Sequence, residues 1–208
     1  MNNKTLENTL RKLGFKHIAG VDEVNIYSTT GEIIACAVVL KTNSRIRNVN
    51  DSKKLTRKQR ETIYKQLKKH IIAVGIGRVL VSEIDKLGFY QAHLLAKQRA
   101  VVDLTSKYKV DVILLDGKFR KLNLQQYCPS VLHIVNGDEK CYIISCASII
   151  AKVLLDRFME RLGKRYKEYG FEHNTGVPTK KQVSALRRFG MTKWHRKVFT
   201  RKYLNVKS

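Results

Sequence analysis

The order of hydrophobic patterns predicts an α/β or α+β fold, one sheet with helices on its faces, followed by a basic helical extension. Three observations lead there. Short β-branched runs and stretches of helical periodicity follow one another in the order β-β-α-β-α-β-β-α. The chain has 208 residues, 43% of them hydrophobic, which suits one domain with a sizeable core. Half of its net charge of +24 falls in residues 161–208, where fourteen Lys or Arg stand against two Glu.

A first helix is expected around Thr5 to Leu13. Ile18-Ala19-Gly20-Val21, broken by Asp22-Glu23, and Ile33 to Leu40 read as two strands joined through Thr29-Thr30-Gly31. Arg57 to His70 has a helical pattern with Ile63 and Leu67 one turn apart on its core face, and Ile71 to Val81 is a third strand region. A helix from about Gln91 to Tyr108 carries the stripe Ala92, Leu95, Ala96, Arg99 and Val102, and the buried-type strand Val110 to Leu115 ends in Asp116-Gly117. The short run Val131 to Val135 precedes Gly137-Asp138 and a long helix from about Lys140 to Tyr169. Val177-Pro178-Thr179 starts a last helix that Gly190 stops. This divides the chain into a core, residues 1–160, and a basic helical extension, residues 161–208, packed on it.

Composition narrows the function. No apolar run reaches the roughly 18 residues that a membrane span needs. Met1-Asn2-Asn3-Lys4 lacks the apolar segment of an export signal. Four cysteines, Cys36, Cys128, Cys141 and Cys146, form no CxxC pair and read as reduced core residues of a cytoplasmic protein, expected to be a monomer. The charge calls for a polyanionic partner.

In so basic a chain a carboxylate on an apolar element is conspicuous, because burying an unpartnered charge is costly. Asp22-Glu23 interrupts a strand, Asp116 ends one, and Asp156 follows the apolar stretch Ile149 to Leu155. Strand ends and a facing helix can bring such groups together, and an oxygen-only cluster suits Mg²⁺ or Mn²⁺; two such ions can cleave a phosphodiester. Ser148, Lys152 and Asp156 fall at i, i+4 and i+8, along one helix face. The alternative is that Asp156 pairs with Lys152 or Arg157, and that Asp116 merely starts a turn before Gly117.

The segments Ala19-Gly20-Val21-Asp22-Glu23-Val24, Asp51-Ser52-Lys53-Lys54-Leu55, Leu115-Asp116-Gly117, Gly137-Asp138-Glu139-Lys140 and Ala147-Ser148-Ile149-Ile150-Ala151-Lys152-Val153 with Asp156-Arg157 resemble ribonuclease HII. So do Tyr169-Gly170-Phe171, Gly176-Val177-Pro178-Thr179 and Trp194-His195-Arg196-Lys197-Val198-Phe199. The match keeps its order over about residues 15 to 200. It implies a ribonuclease H-like mixed sheet flanked by helices, and a metal-dependent endoribonuclease that cleaves the RNA strand of RNA/DNA hybrids or acts on ribonucleotide-containing duplexes. Asp22, Glu23, Asp116 and Asp156 correspond to its metal-binding, catalytic carboxylates. Lys53 and Lys54 resemble a phosphate-contacting loop, and Ser148 and Lys152 face the same site.

Two departures bear on substrate reading. Asn25-Ile26-Tyr27 stands where the family has Gly-Arg-Gly, whose backbone approaches the ribose 2′-hydroxyl, and Val177 stands where it has a junction-reading tyrosine. Altered junction specificity is therefore expected, with Tyr27 either a substitute stacking group or a loop tyrosine. In the extension, Arg187, Arg188 and Arg196, among others, interleave with Phe189, Trp194, Phe199 and Tyr203, a pattern that suits phosphate contacts with stacking or, alternatively, aromatic anchoring to the core. His195 reads as a structural capping or phosphate-side residue. The competing functions are a non-catalytic nucleic-acid-binding protein that kept the fold and a basic structural RNA-binding protein.

Overall fold

The computed structural model describes residues 5–42, 44–49, 52–119, 122–173 and 178–204. Helix α1 (Thr5–Lys12) leads into the hairpin β1 (Ile18–Val24) and β2 (Ile33–Leu40). Next come α2 (Arg57–Leu67), β3 (Ile71–Val79), α3 (Val81–Leu87), α4 (Phe89–Thr105), β4 (Val112–Asp116) and β5 (Ser130–Ile134). The short α5 (Gly137–Lys140) precedes the long α6 (Tyr142–Arg165), and α7 (Lys180–Phe189) and α8 (Lys197–Leu204) close the described chain. The five strands form one sheet in the order β3-β2-β1-β4-β5; β1, β2 and β3 are antiparallel neighbours, whereas β4 runs parallel to both β1 and β5.

Alternation along the strands sorts the core into two layers. Ile18, Ile34, Cys36, Val38, Val112 and Leu114 pack on α6, while Ala19, Val21, Ile33, Ala35, Ala37 and Ile113 pack with α4. Strand β2 is buried on both faces along its whole length, which is why it reads as an unbroken apolar run. Two glycines let the helices approach. A Cβ on Gly20 would stand 2.5 Å from the Ile143 backbone at the start of α6, and one on Gly77 would collide with the Ala96 carbonyl of α4. These contacts set how far side chains from either helix reach into the strand ends.

Local signals hold at several boundaries. Thr56 and Gln59 form a capping box at the start of α2, and Thr179 and Gln182 form one at α7. Gly190, with φ 76°, ends α7 as expected. Elsewhere the expectation shifts. The buried side of α4 carries Ala92, His93, Ala96, Lys97, Ala100, Val101 and Leu104, whereas Val102 is exposed and Arg99 pairs with Glu83. The sequence reading missed α3 and α8, and the long helix breaks at Cys141, between α5 and α6. The expected boundary at 160/161 falls inside α6. Beyond it, Phe171 and Leu186 join the α6-side core.

Candidate active site

The parallel ladder pairs Val21 with Leu115, so the next residues, Asp22 and Asp116, lie side by side at the strand ends. By alternation Asp22 faces α6, and Glu23 faces α4. Asp116 Oδ1 accepts a hydrogen bond from the Gly137 amide at 2.6 Å, which ties the end of β4 to the first residue of α5 and brings in Asp138. Asp22, Glu23, Asp116 and Asp138 line one cavity of about 330 Å³. Residues 25–28 and Leu155 contribute to its wall, as do Ser52, Lys53, Ser148 and Lys152.

The carboxylates feel one another. Burial and then the neighbouring Glu23 and Asp116 charges hold the Asp22 carboxyl well above its usual range, against the opposing pull of Lys97 and a Ser148 hydrogen bond. Burial likewise raises Asp116, with Asp138 and Glu23 adding to it. Glu23 goes the other way: burial disfavours its charge, yet Lys97 and His93 outweigh that and hold it low. Lys97 Nζ contacts Glu23 Oε2 and donates to the Asp116 carbonyl at 2.6 Å, and His93 Nδ1 lies 3.3 Å from Glu23 Oε1.

An oxygen-only donor set carrying mutual repulsion fits a hard divalent cation. Asp22, Glu23, Asp116 and Asp138 present it to the cavity, and of these Glu23 is already engaged by Lys97 and His93. Among the described residues, no three acidic, histidine or cysteine side chains already close at ion-holding spacing.

Asp156, expected in the acidic set, is elsewhere. It does not line the cavity; Arg60 Nε and Nη2 reach its Oδ2 at 3.0 and 2.6 Å, and Lys152 Nζ reaches its Oδ1 at 2.9 Å. The cause is distance along the helix. Eight residues past Ser148 is about 12 Å of rise, so a shared face does not mean a shared site. The pairing with Lys152 weighed from sequence is present, Arg60 is added, and Arg157 binds Glu61 instead. Asp138, quoted in the resemblance but given no role, takes the cavity position.

The expected nucleic-acid contacts divide. Lys53 lines the cavity, with its side chain 80% exposed and its Nζ 3.4 Å from Asp138 Oδ2, while Lys54 pairs with Glu139 at 2.7 Å. Ser148 is buried against Ser52, the two hydroxyls 2.9 Å apart, and supports Asp22. Lys152 reaches the cavity wall from its pairing with Asp156.

Asn25 and Ile26 are held from behind. Asn25 has φ 73°, a left-handed conformation that favours glycine, and its amide donates to the Thr30 and Glu32 carbonyls at 2.9 and 2.8 Å. Arg196 is fully buried and donates to the carbonyls of Gly31, Ile26 and Asn25 at 2.8, 2.7 and 2.7 Å. This corrects its expected place on the nucleic-acid surface: it clamps the cavity loop from inside. Tyr27 is 70% exposed and packs against Phe89, their centroids 5.4 Å apart.

Arg187 and Arg188 sit in the last turn of α7 and do not line the cavity. Trp194 packs edge-on to Phe158 at 5.2 Å, in line with aromatic anchoring. His195 is buried, with Thr192 donating to its Nδ1 at 2.9 Å, and burial pushes its pKa down to about 4, as a structural residue requires. Val177 lies outside the described residues, as do Asn50-Asp51. The sequence reading assigned no role to Lys97 and His93; the signal for them was a lysine and a histidine one turn apart among alanines.

The ribonuclease HII family model matches residues 19–206. Ribonuclease HII of Bacillus cytotoxicus is 41% identical over 93% of this chain and 72% of its own length, and that of Pelagibacter ubique is 40% identical over 89% and 96%. Among solved structures, ribonuclease H2 of Pyrococcus horikoshii superposes with a TM-score of 0.72 at 25% identity, covering 91% of this chain and 97% of its own. Bst-RNase HIII in complex with Mn²⁺ gives 0.75 at 18% identity over 93% and 71%. The PCNA:RNase HII complex from Archaeoglobus fulgidus gives 0.75 at 21%, over 92% and 98%. Among the described residues no helix is long and apolar enough to cross a membrane. With a family model spanning nearly the whole chain and relatives at about 40% identity, the chain belongs to the ribonuclease HII family and is an endonuclease of the ribonuclease H type.

Proposed function

We infer that the protein hydrolyses the RNA strand of RNA/DNA hybrids with a divalent cation, Mg²⁺ or Mn²⁺, leaving 3′-hydroxyl and 5′-phosphate ends. The observation that supports this most is the meeting of Asp22, Asp116 and Asp138 in one cavity at the ends of β1 and β4. These three carboxylates would hold the cation, which when bound activates a water and stabilises the leaving oxygen. Ser148, backed by Ser52, orients Asp22, and the Gly137 amide fixes Asp116. Lys53 and Lys152 on the cavity wall attract the phosphates on either side of the scissile bond. The complex with Mn²⁺ of the structurally similar Bst-RNase HIII supports this ion class.

The substrate preference follows from residues 25–27. Asn25 keeps a glycine-like backbone turn with its amide turned back onto the Thr30 and Glu32 carbonyls, whereas Tyr27 adds a side chain at the cavity where the resembled motif has a glycine whose backbone approaches a 2′-hydroxyl. Continuous hybrid, with many equivalent riboses, suffers less from this than a lone ribonucleotide in DNA. The test is cleavage of hybrid, single-ribonucleotide duplex, duplex RNA and single-stranded RNA with each ion. A hybrid-to-single-ribonucleotide ratio above that of a relative carrying Gly-Arg-Gly and the tyrosine is expected. The variant Asn25→Gly, Ile26→Arg, Tyr27→Gly, Val177→Tyr should lower it; an unchanged ratio would move specificity to another part of the site.

A further inference from the structure

Lys97 is the anomaly of the acidic site. It is fully buried on α4, where Ala92, Ala96, Ala100 and Val101 pack against the sheet. An ammonium in that layer is costly, whereas an apolar side chain of similar length would cost little. What offsets the cost is specific: contact with Glu23 Oε2, a 2.6 Å bond to the Asp116 carbonyl, and the face of Phe119 at 4.5 Å. His93, one turn earlier, closes on the other Glu23 oxygen and also packs edge-on to Phe119. Two basic side chains at i and i+4 thus converge on one carboxylate, on the sheet face opposite the one Asp22 presents to α6.

We propose that Lys97 is a resident counter-ion of the acidic site. Its ammonium occupies Glu23 on the α4 side of the cavity that Glu23 shares with Asp22, Asp116 and Asp138, so that the chain takes up one divalent ion where four free carboxylates would take two. Lys97 is a positioning residue: it acts on ion uptake through Glu23 and touches no substrate. The proposal rests on the divalent-cation reading of the cavity. Removing the charge also removes repulsion of the incoming cation, because Lys97 acts electrostatically on Asp22 and Asp116 as well.

The experiment counts ions without nucleic acid. Mn²⁺ is titrated into the full chain and free Mn²⁺ is followed by electron paramagnetic resonance. One Mn²⁺ per wild-type chain and two per chain of Lys97→Met are expected. A purely structural lysine would not raise the count when removed. Equal, non-zero counts would overturn the role of Lys97 and leave the cation reading standing; no binding by either protein would bring down both. If Lys97→Met does not fold, the pair Glu23→Gln with Lys97→Met, which leaves no unmatched buried charge, decides. It should bind one Mn²⁺ with wild-type affinity, and loss of that ion would make Glu23 a ligand and overturn the proposal.

Discussion

Asp138 and Asp156 carry the same carboxyl group into opposite surroundings. Asp156 is neutralised by the protein itself: Arg60 and Lys152 close on it while each of the three side chains is 14% exposed or less. Asp138 opens onto a cavity shared with Asp22 and Asp116, and its Lys53 partner lies 3.4 Å away with its side chain in solvent. The contrast separates a carboxylate whose two oxygens are each closed on by a buried cation from one that shares an open cavity with other carboxylates, which is the setting the proposed divalent cation needs. Glu23 shows both conditions at one site, since it borders the cavity yet is engaged by Lys97 and His93.

Asparagine substitution breaks the comparison most sharply. Asp138→Asn and Asp116→Asn should each lower hybrid cleavage by roughly 10³-fold or more, the scale set by losing several kcal/mol of charge stabilisation. Asp156→Asn should keep cleavage within about tenfold, since it removes a structural ion pair and no cavity ligand. Steady-state rates on a labelled hybrid measure both, and comparable losses in Asp156→Asn would return it to the acidic set.

The paired carboxylate should instead dominate stability. Arg60→Met strands Asp156 with Lys152 alone and should cost about 3–5 kcal/mol, as breaking a buried pair does. Urea unfolding followed by circular dichroism reads this directly. A loss under about 1 kcal/mol would mean that the pair behaves as an exposed one.

A buried group with no counter-charge extends the contrast. His195 has its pKa pushed down to about 4 by burial, so its stabilising contribution is present above the unfolded value near 6.5 and is lost as pH falls through the window down to 4. At about 1.4 kcal/mol per unit this reaches roughly 3 kcal/mol at the acid end. His195→Phe should flatten the fall of stability between pH 6.5 and 4 in chemical denaturation.

Exposed charge should have the smallest effect. Arg187 and Arg188, at the end of α7, are open to phosphate, and replacing both by Ala should lower the salt slope of hybrid binding by about 0.9 per contact removed. An unchanged slope would show that this helix faces away from nucleic acid. Fluorescence anisotropy across a salt series separates the outcomes.

Much of the fold could be read locally, because both signals that define elements are local. The apolar start of β1 and the unbroken apolar run of β2 reflect burial on both faces, and Thr56 and Thr179 announce their helices through caps that span three residues. The misses share a physical cause. The α4 stripe was misread because Lys97 and His93 look polar until Glu23 is placed beside them, and α3 is too short for a helical period to declare itself.

The sequence by itself determined the layered sheet, the basic surface and the acidic residues worth attention, because periodicity and composition act within one element at a time. It also determined the unusual loop at residues 25–27. Only the tertiary structure decided which carboxylates share a cavity. The parallel register of β1 and β4 sets Asp22 beside Asp116, the Gly137 amide brings Asp138 to them, and Arg60, from a helix 96 residues earlier in the chain, takes Asp156 away. The same holds for Arg196, whose charge looked like a surface feature until three carbonyls of the cavity loop were seen around it. A charge's partner is fixed by distance in space, and spacing along a strand or helix fixes only the face from which it starts.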